Sequence, residues 1–334
     1  MAWEMELFKR TRLASYPNCL SLLDAYSNFA PLWERTLLAV YVGLGPPLAR
    51  IFGGKTKTLW HQAEVIVGDL LSVSKLSPEE VVGSLRYYVK LSRSAKHNFT
   101  YAEACDRIYE RSFYPLVTHF TFAFQSSAVA RLRFVKRIAA TMAAETATVA
   151  DLGCGSGVML CEVLKANDRW TGYGLDISGT SVDYARRLAQ HHGLNRRAVF
   201  QQGSITQLPF ATRSLDLVIA SEVLEHLPEP EAAFREIARV LAPTGILALT
   251  VPIESHNPAH VNSVGDPIEF SRLCTRVGLR VKSLASKWHV TFGDDRRHLF
   301  ALAQLQDAVE TFSPAHSLSW AQISSAASNG MVSS

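Results

Sequence analysis

Apolar residues recur at helical spacing through the first 140 positions, and then the rhythm changes. Trp33–Val40 and Leu59–Val73 each carry an apolar stripe, and Gly43, Gly45, Pro46, Pro47, Gly53 and Gly54 punctuate the chain between them. Ser77-Pro78-Glu79-Glu80 reads as a helix start: Ser77 can cap, Pro78 suits the first turn, and Glu80 completes a capping box. The helix that follows is expected to turn Val81, Leu85, Tyr88 and Val89 inward. Further amphipathic stretches run over Tyr101–Arg111 and Ser127–Ala144. From residue 146, short apolar runs take over at Thr148–Leu152, Trp170–Leu175, Ala198–Gln201, Leu215–Ala220, Ile246–Val251, Leu279–Leu284 and Leu299–Leu302. Helical patterns near 158–166, 180–192, 231–241 and 267–277 separate most of them. Strands alternating with helices predict parallel pairing in a layered α/β sheet. The pattern divides the chain into an all-α N-terminal domain (1–140), a sheet domain (141–306) and a Ser- and Ala-rich tail (307–334) expected to be partly disordered.

Composition narrows the class. Of 334 residues, 48% are hydrophobic and 19% charged, which excludes a wholly disordered chain. No apolar run approaches the roughly 20 residues of a bilayer span, and the acidic start Met1-Ala2-Trp3-Glu4-Met5-Glu6 lacks a signal-peptide core. Five scattered cysteines, Cys19, Cys105, Cys154, Cys161 and Cys274, suit reduced thiols, so a cytoplasmic protein is expected. The net charge of +4 divides into 18 basic against 12 acidic residues over 1–145 and 16 against 18 thereafter. That asymmetry supports a boundary near 145 and is too mild for a nucleic-acid partner.

The sharpest feature is Val149-Ala150-Asp151-Leu152-Gly153-Cys154-Gly155-Ser156-Gly157. A strand ends in an acidic residue, glycines alternate, and a helix begins. Glycine lets a ligand approach the backbone without meeting a Cβ, and the helix start offers free N–H groups. The spacing is G-x-G-x-G, not the G-x-G-x-x-G of dinucleotide sites. A second strand ends at Gly174-Leu175-Asp176, where a carboxylate can accept hydrogen bonds from both hydroxyls of a ribose. Together they describe a pocket for a ribose-bearing cofactor at the carboxyl edge of the sheet.

Over about 147–251 the chain resembles the class I S-adenosylmethionine-dependent methyltransferases. The family's motifs match, in order, Asp151–Gly157, Gly172–Ser178, Gln202–Phe210, Leu215–Leu227 and Glu236–Gly245. The resemblance implies a Rossmann-like, seven-stranded, mostly parallel sheet with flanking helices, and S-adenosyl-L-methionine as cofactor. It also implies that Asp151, Gly153, Cys154, Gly155 and Gly157 form the loop around the methionine part and that Asp176 binds the ribose. By the same carry-over Ile177 lies against the adenine, Ser204 and Ile205 reach its edge, and Ser221 and Glu222 lie beneath the sulfonium. Ser204 departs from the family, which often has an acidic residue there; a hydroxyl makes the weaker bond to the adenine amino group.

The acceptor side is less explicit. His226, just after the fourth strand, is a candidate base or substrate contact, and His256 and His260 lie in a loop that borders the substrate site in related enzymes. No metal centre is expected, because no third ligand stands at a suitable spacing beside these histidines. Tyr109, Phe113, Tyr114, His119, Phe120, Phe122 and Phe124 form an aromatic cluster; Tyr114 is the one expected to reach the ligand. The fourth motif lacks the Asn/Asp-Pro-Pro-aromatic that grips a flipped base, and no Pro-Cys nucleophile follows. The expected acceptor is therefore a small molecule or natural product, with a peptide or a catalytically silent partner subunit as alternatives. The N-terminal helices are expected to cap the pocket or to form a homodimer.

Overall fold

In the computed structural model, residues 16–27, 55–94, 99–253, 259–262, 264–289 and 296–306 are described. The helix expected at 33–40, His256 and the tail at 307–334 lie outside them. The strands are β1 (Thr148–Leu152), β2 (Thr171–Asp176), β3 (Ala198–Gln202), β4 (Leu215–Ser221), β5 (Leu241–Pro252), β6 (Leu279–His289) and β7 (Arg296–Leu305). They form one sheet in the order β3-β2-β1-β4-β5-β7-β6. The first five strands pair in parallel, with Asp151 of β1 facing Gly174 of β2 on one side and Ile219 of β4 on the other. β7 runs antiparallel to both β5 and β6. The sheet is the seven-stranded, mostly parallel one expected.

Helices cover both faces. They are α1 (Pro17–Ser27), α2 (Lys55–Ser74), α3 (Pro78–Ser94), α4 (Tyr101–Ala104, continued by a π-helical turn at Cys105–Tyr109), α5 (Tyr114–Phe124) and α6 (Ser126–Thr141), then α7 (Val158–Ala166), α8 (Gly179–His191), α9 (Pro230–Val240) and α10 (Pro267–Arg276). The capping box at the start of α3 forms: the Ser77 N–H donates to Glu80 Oε2 at 2.8 Å and the Glu80 N–H to Ser77 Oγ at 3.3 Å. Its buried stripe is centred on Val81, Val82 and Leu85, and Val89 is exposed, because eight residues of helical rotation carry it off the stripe opened by Val81.

Alternation along the strands sends successive side chains to opposite faces. Val149, Leu217 and Ile219 point into a core shared with α1, α2 and α6–α8, where Leu70, Leu132, Phe134, Leu160 and Leu188 pack. Leu152, Val218 and Leu247 meet Phe234 and Ile237 of α9 and Phe270 and Leu273 of α10 on the other. The first core does not stop at residue 140. Phe134, Val135 and Ile138 of α6 pack in one cluster with Val149 and Leu160, so the last N-terminal helix is a layer of the sheet sandwich. Among the described residues no helix is long and apolar enough to cross a membrane.

A buried histidine fastens the N-terminal helices to the sheet domain. His119 of α5 is 1% exposed. Its Nε2 donates to the Ile66 carbonyl of α2 at 2.9 Å, which leaves Nδ1 to accept from the Tyr184 hydroxyl of α8 at 3.0 Å. Burial depresses its pKa to about 4. The unfolded chain therefore binds this proton between about pH 6.5 and 4 while the folded chain refuses it. Stability from this group is complete above pH 6.5 and falls by about 3 kcal/mol as pH drops to 4. Denaturant titrations of wild type and His119→Gln at pH 7.5 and 4.5 should show the variant weaker at pH 7.5 and the gap closing at pH 4.5. An equal gap at both values would show that His119 is not held neutral.

Candidate active site

The chain steps from β1 outward to β2 and β3, then crosses back to β4 beside β1. Connections leave β1 and β4 in opposite directions, and the crevice that opens at their carboxyl ends is where open α/β sheets bind ligands. The loop after β1 fills its floor. Gly153 and Gly155 take φ of +70° and +52°, a region costly for residues with a Cβ, and a Cβ at Gly153 would run into the side chain of Val223. The N–H groups of Gly153 and Cys154 donate to the Leu175 carbonyl at 2.7 and 3.1 Å. Asp176, at the tip of β2, accepts from the Gly155 N–H at 2.8 Å through one oxygen and from the Ser178 N–H at 2.9 Å through the other. The loop and the start of α8 thus hang from one carboxylate.

A pocket opens above this floor. Gly153, Asp176, Ile177, Gly203, Ser204 and Ile205 line one side; Tyr101, Tyr109, Tyr114, Glu222, Val223, His226 and Leu227 line the other. Its free volume is about 60 Å³, well below the roughly 300–1,000 Å³ of ordinary ligand pockets. The roof is the segment from α4 through the π turn to α5, so a nucleoside-sized ligand requires that segment to lift. A π turn carries one extra residue per hydrogen-bonded ring and is commonly found at functional sites. The roof is latched to the start of α8: the Tyr109 carbonyl accepts from Ser178 Oγ at 2.7 Å and from Thr180 Oγ1 at 3.3 Å, and the Gly179 N–H donates to Glu110 Oε1 at 3.2 Å.

The charges are buried and tuned. Burial raises the Asp176 carboxyl to about 6, against the pull of its two N–H donors. Burial and the neighbouring Asp176 raise Asp151 to about 7. Glu222 goes the other way: burial opposes its charge, but His298 and Arg131 hold it ionised well below the usual carboxylate range. His298 Nε2 lies 3.1 Å and Arg131 Nη1 3.8 Å from Glu222 Oε2. Glu222 also adopts φ +56°, a left-handed conformation unusual outside glycine and frequent at functional sites. Burial pushes the phenols of Tyr109 and Tyr114 above their ordinary range, so both stay protonated donors.

On the acceptor side, Glu225, His226 and His260 converge. A single 3₁₀ turn, Leu224–His226, presents the first two. The segment 259–262 is stapled to that turn: the Val261 N–H donates to the Glu225 carbonyl at 2.9 Å, and Asn262 Nδ2 to the carbonyls of Leu224 and Leu227 at 2.7 Å each. His226 Nδ1 lies 2.9 Å from both the Ala259 carbonyl and the Tyr109 hydroxyl. A carbonyl can only accept, so Nδ1 carries the ring proton and Nε2 is the acceptor. The His226 and His260 rings meet edge to face at 4.7 Å.

Most of the residues singled out in the sequence meet here. Gly153, Asp176, Ile177, Ser204, Ile205, Glu222, Tyr114 and His226 line the pocket. Asp151, Cys154, Gly155, Gly157 and His260 are not among the lining residues; Gly157 caps α7 in the left-handed conformation and Cys154 packs against Gly174. Ser221 is drawn away, its hydroxyl paired with Thr250 Oγ1 at 2.9 Å. Ser204 Oγ is 2.7 Å from Thr206 Oγ1. Tyr101, Val223 and Leu227 were not read as pocket residues, and Tyr109 was read only as part of the aromatic cluster. Glu225 supplies the third donor beside the two histidines that their spacing had not suggested.

A doubly wound sheet with a glycine loop and a ribose-type carboxylate at its switch point defines a nucleoside-cofactor-binding domain. Residues 150–249 match the methyltransferase domain family. Over 117 residues the chain is 33% identical to the sterol 24-C-methyltransferase erg6 of Aspergillus fumigatus, covering 34% of this chain and 31% of that one. Over 99 residues it is 37% identical to the 27-O-demethylrifamycin SV methyltransferase of Amycolatopsis mediterranei, covering 30% and 36%. The YcgJ protein of Bacillus subtilis overlays with a TM-score of 0.44 at 16% identity, over 51% of this chain and 97% of that one. The chain spans about a third of the length of the curated relatives it matches. The likeness is confined to this stretch, a methyltransferase domain similar to those of class I S-adenosylmethionine-dependent enzymes.

The residues fit that cofactor. Asp151 Oδ2 is buried with no hydrogen-bond partner among the described residues, an acceptor suited to an ammonium group. Asp176 stands one strand away for the ribose. Both carboxyls ionise only above about pH 6 to 7, and a cationic ligand favours the ionised forms. Affinity for S-adenosylmethionine should therefore fall as pH drops from 8 to 5.5, by up to about tenfold per unit between the two values and more steeply below the lower one, where both carboxyls take up a proton. Asp151→Asn should bind more weakly at pH 8 and show a flatter profile, both measured by calorimetry. A flat wild-type profile would separate these carboxyls from the cofactor.

Proposed function

We propose that the protein methylates a small, largely apolar acceptor, with S-adenosyl-L-methionine as donor. The observation that carries this is one pocket bounded by Gly153, Asp176 and Ser204 on one side and by Tyr109, Tyr114, Val223 and His226 on the other. The first set suits a nucleoside and the second an aromatic or aliphatic body with one polar atom. The relatives' names point the same way, since they act on a sterol and a rifamycin.

When bound, the sulfonium cofactor supplies an electrophilic methyl group. The chain's own work is then alignment, exclusion of water and management of one proton. Glu222, held ionised, presents negative charge toward a sulfonium. Tyr101, Tyr109 and Tyr114 close over the reacting atoms and keep water out, which favours an in-line approach. Tyr114, a neutral phenol, orients the acceptor. A hydroxyl acceptor would have to give up its proton on being methylated. The Glu225–His226–His260 cluster assists that departure, with His226 facing the pocket. A carbon or tertiary-amine acceptor needs the same alignment and a different proton fate.

Two measurements test this reading. Incubation with methyl-labelled cofactor and a pool of hydroxylated polyketides, sterols and phenols should yield a labelled product identifiable by mass. His226→Ala should lower kcat on that product by about 10²–10⁴-fold, while affinity for the demethylated cofactor stays within about twofold. Cofactor binding without a labelled product from any acceptor would point instead to a silent, cofactor-binding partner subunit.

A further inference from the structure

We propose that Glu225, His226 and His260 form a binding site for one divalent first-row transition-metal ion on the acceptor wall of the pocket. The proposal rests on the methyl-transfer reading and deepens it by naming how the cluster assists a hydroxyl acceptor. His226 Nε2 lies 3.9 Å and His260 Nε2 4.0 Å from the same oxygen, Glu225 Oε1. Each residue offers one donor atom, and all three donors fall within 4.8 Å of one another. Adjacent donors around a tetrahedral ion with bonds of about 2.1 Å lie about 3.4 Å apart, so each histidine must close on Glu225 by roughly half an ångström and the two histidines on each other by up to about 1.4 Å.

Three features show a site that is built rather than incidental. First, the Nδ1–H of His226 is committed to the Ala259 carbonyl at 2.9 Å. That is how metal-bound histidines are oriented: the far nitrogen donates to a carbonyl, fixing the tautomer and turning the Nε2 lone pair to the ion. Here that nitrogen stands 3.9 Å from a carboxylate oxygen, close enough for one cation to be shared between them. Second, the donors come from two segments that Asn262 and the Val261–Glu225 backbone bond hold in register. Third, Glu225 is 2% exposed and His260 nearly buried, and Glu222 stands close enough to His260 to sense its charge. Glu222 adds a second negative charge, and its Oε1 is buried with no hydrogen-bond partner among the described residues.

Two imidazoles and one carboxylate suit ions from Mn²⁺ to Zn²⁺ better than Mg²⁺ or Ca²⁺, which favour all-oxygen shells. Three protein donors leave positions open toward the pocket that His226 lines. An ion there lowers the pKa of a hydroxyl that reaches it. The acceptor class this selects is an oxygen nucleophile, a phenol or enol with a neighbouring oxygen, rather than an amine.

The test is binding, read apart from turnover. Protein stripped with a chelator and dialysed is titrated with Co²⁺ and with Zn²⁺, following visible Co²⁺ absorption and heat. About one equivalent should bind, with the d–d bands of a nitrogen- and oxygen-ligated ion. His226→Ala and His260→Ala should each weaken binding at least about tenfold. Asp69→Ala serves as the control, because Asp69, His191 and His192 form the other cluster of metal-type donors among the described residues. Binding that survives His260→Ala and disappears in Asp69→Ala overturns the proposal, as does no binding at millimolar ion. Calorimetry with the demethylated cofactor on the same samples keeps the two ideas apart: failure there sinks the methyltransferase reading, whereas intact cofactor binding without metal sinks only this one.

Discussion

Two backbone N–H groups from separate segments converge on one carboxylate, that of Asp176, and the site is arranged around that convergence. The Gly155 bond holds the glycine loop open in left-handed conformations. The Ser178 bond sets the first turn of α8, whose Ser178 and Thr180 hydroxyls then reach the Tyr109 carbonyl and latch the roof. Floor, wall and roof are thus fixed through one residue at the end of one strand. Burial makes its charge costly, and the two donors offset part of that cost.

Much of this was legible in the sequence, for identifiable reasons. β1 begins and ends where the run Thr148–Leu152 does, because a strand buried on both faces reads as a largely apolar block, interrupted here by the functional carboxylate of Asp151. The capping box of α3 was visible because both its partners lie within four residues. The glycine loop was visible because left-handed backbone selects a residue type that can be counted. α5 was hidden: in Tyr114–Phe124 aromatic and apolar residues occupy nearly every face, so no polar stripe marks the helix. The antiparallel return of β7 between β5 and β6 was equally silent, since strand periodicity carries no direction.

The missed site residues share another trait. Tyr109 and His226 are 117 positions apart and Glu222 and His298 are 76 apart, yet each pair lies within hydrogen-bonding distance. Arg131 among the buried positions of an amphipathic helix and His298 at the head of an apolar run are the visible signals of such pairing. A charge set among core residues must find a partner, but its sequence does not say which. Glu225 adjoins His226, and neighbours in sequence ordinarily point apart, so the pattern alone does not pair them. The 3₁₀ turn at Leu224–His226 brings them to one side.

Tyr109 is tethered at two ends: its carbonyl belongs to the cofactor side through Ser178, and its hydroxyl belongs to the acceptor side through His226. Raising the roof cannot free one half of the pocket without loosening the other. Movement of the roof then acts on both sides of the pocket at once, and it leaves His226 with its Ala259 partner alone at Nδ1. One tyrosine is thus a mechanical link between the two walls of the pocket.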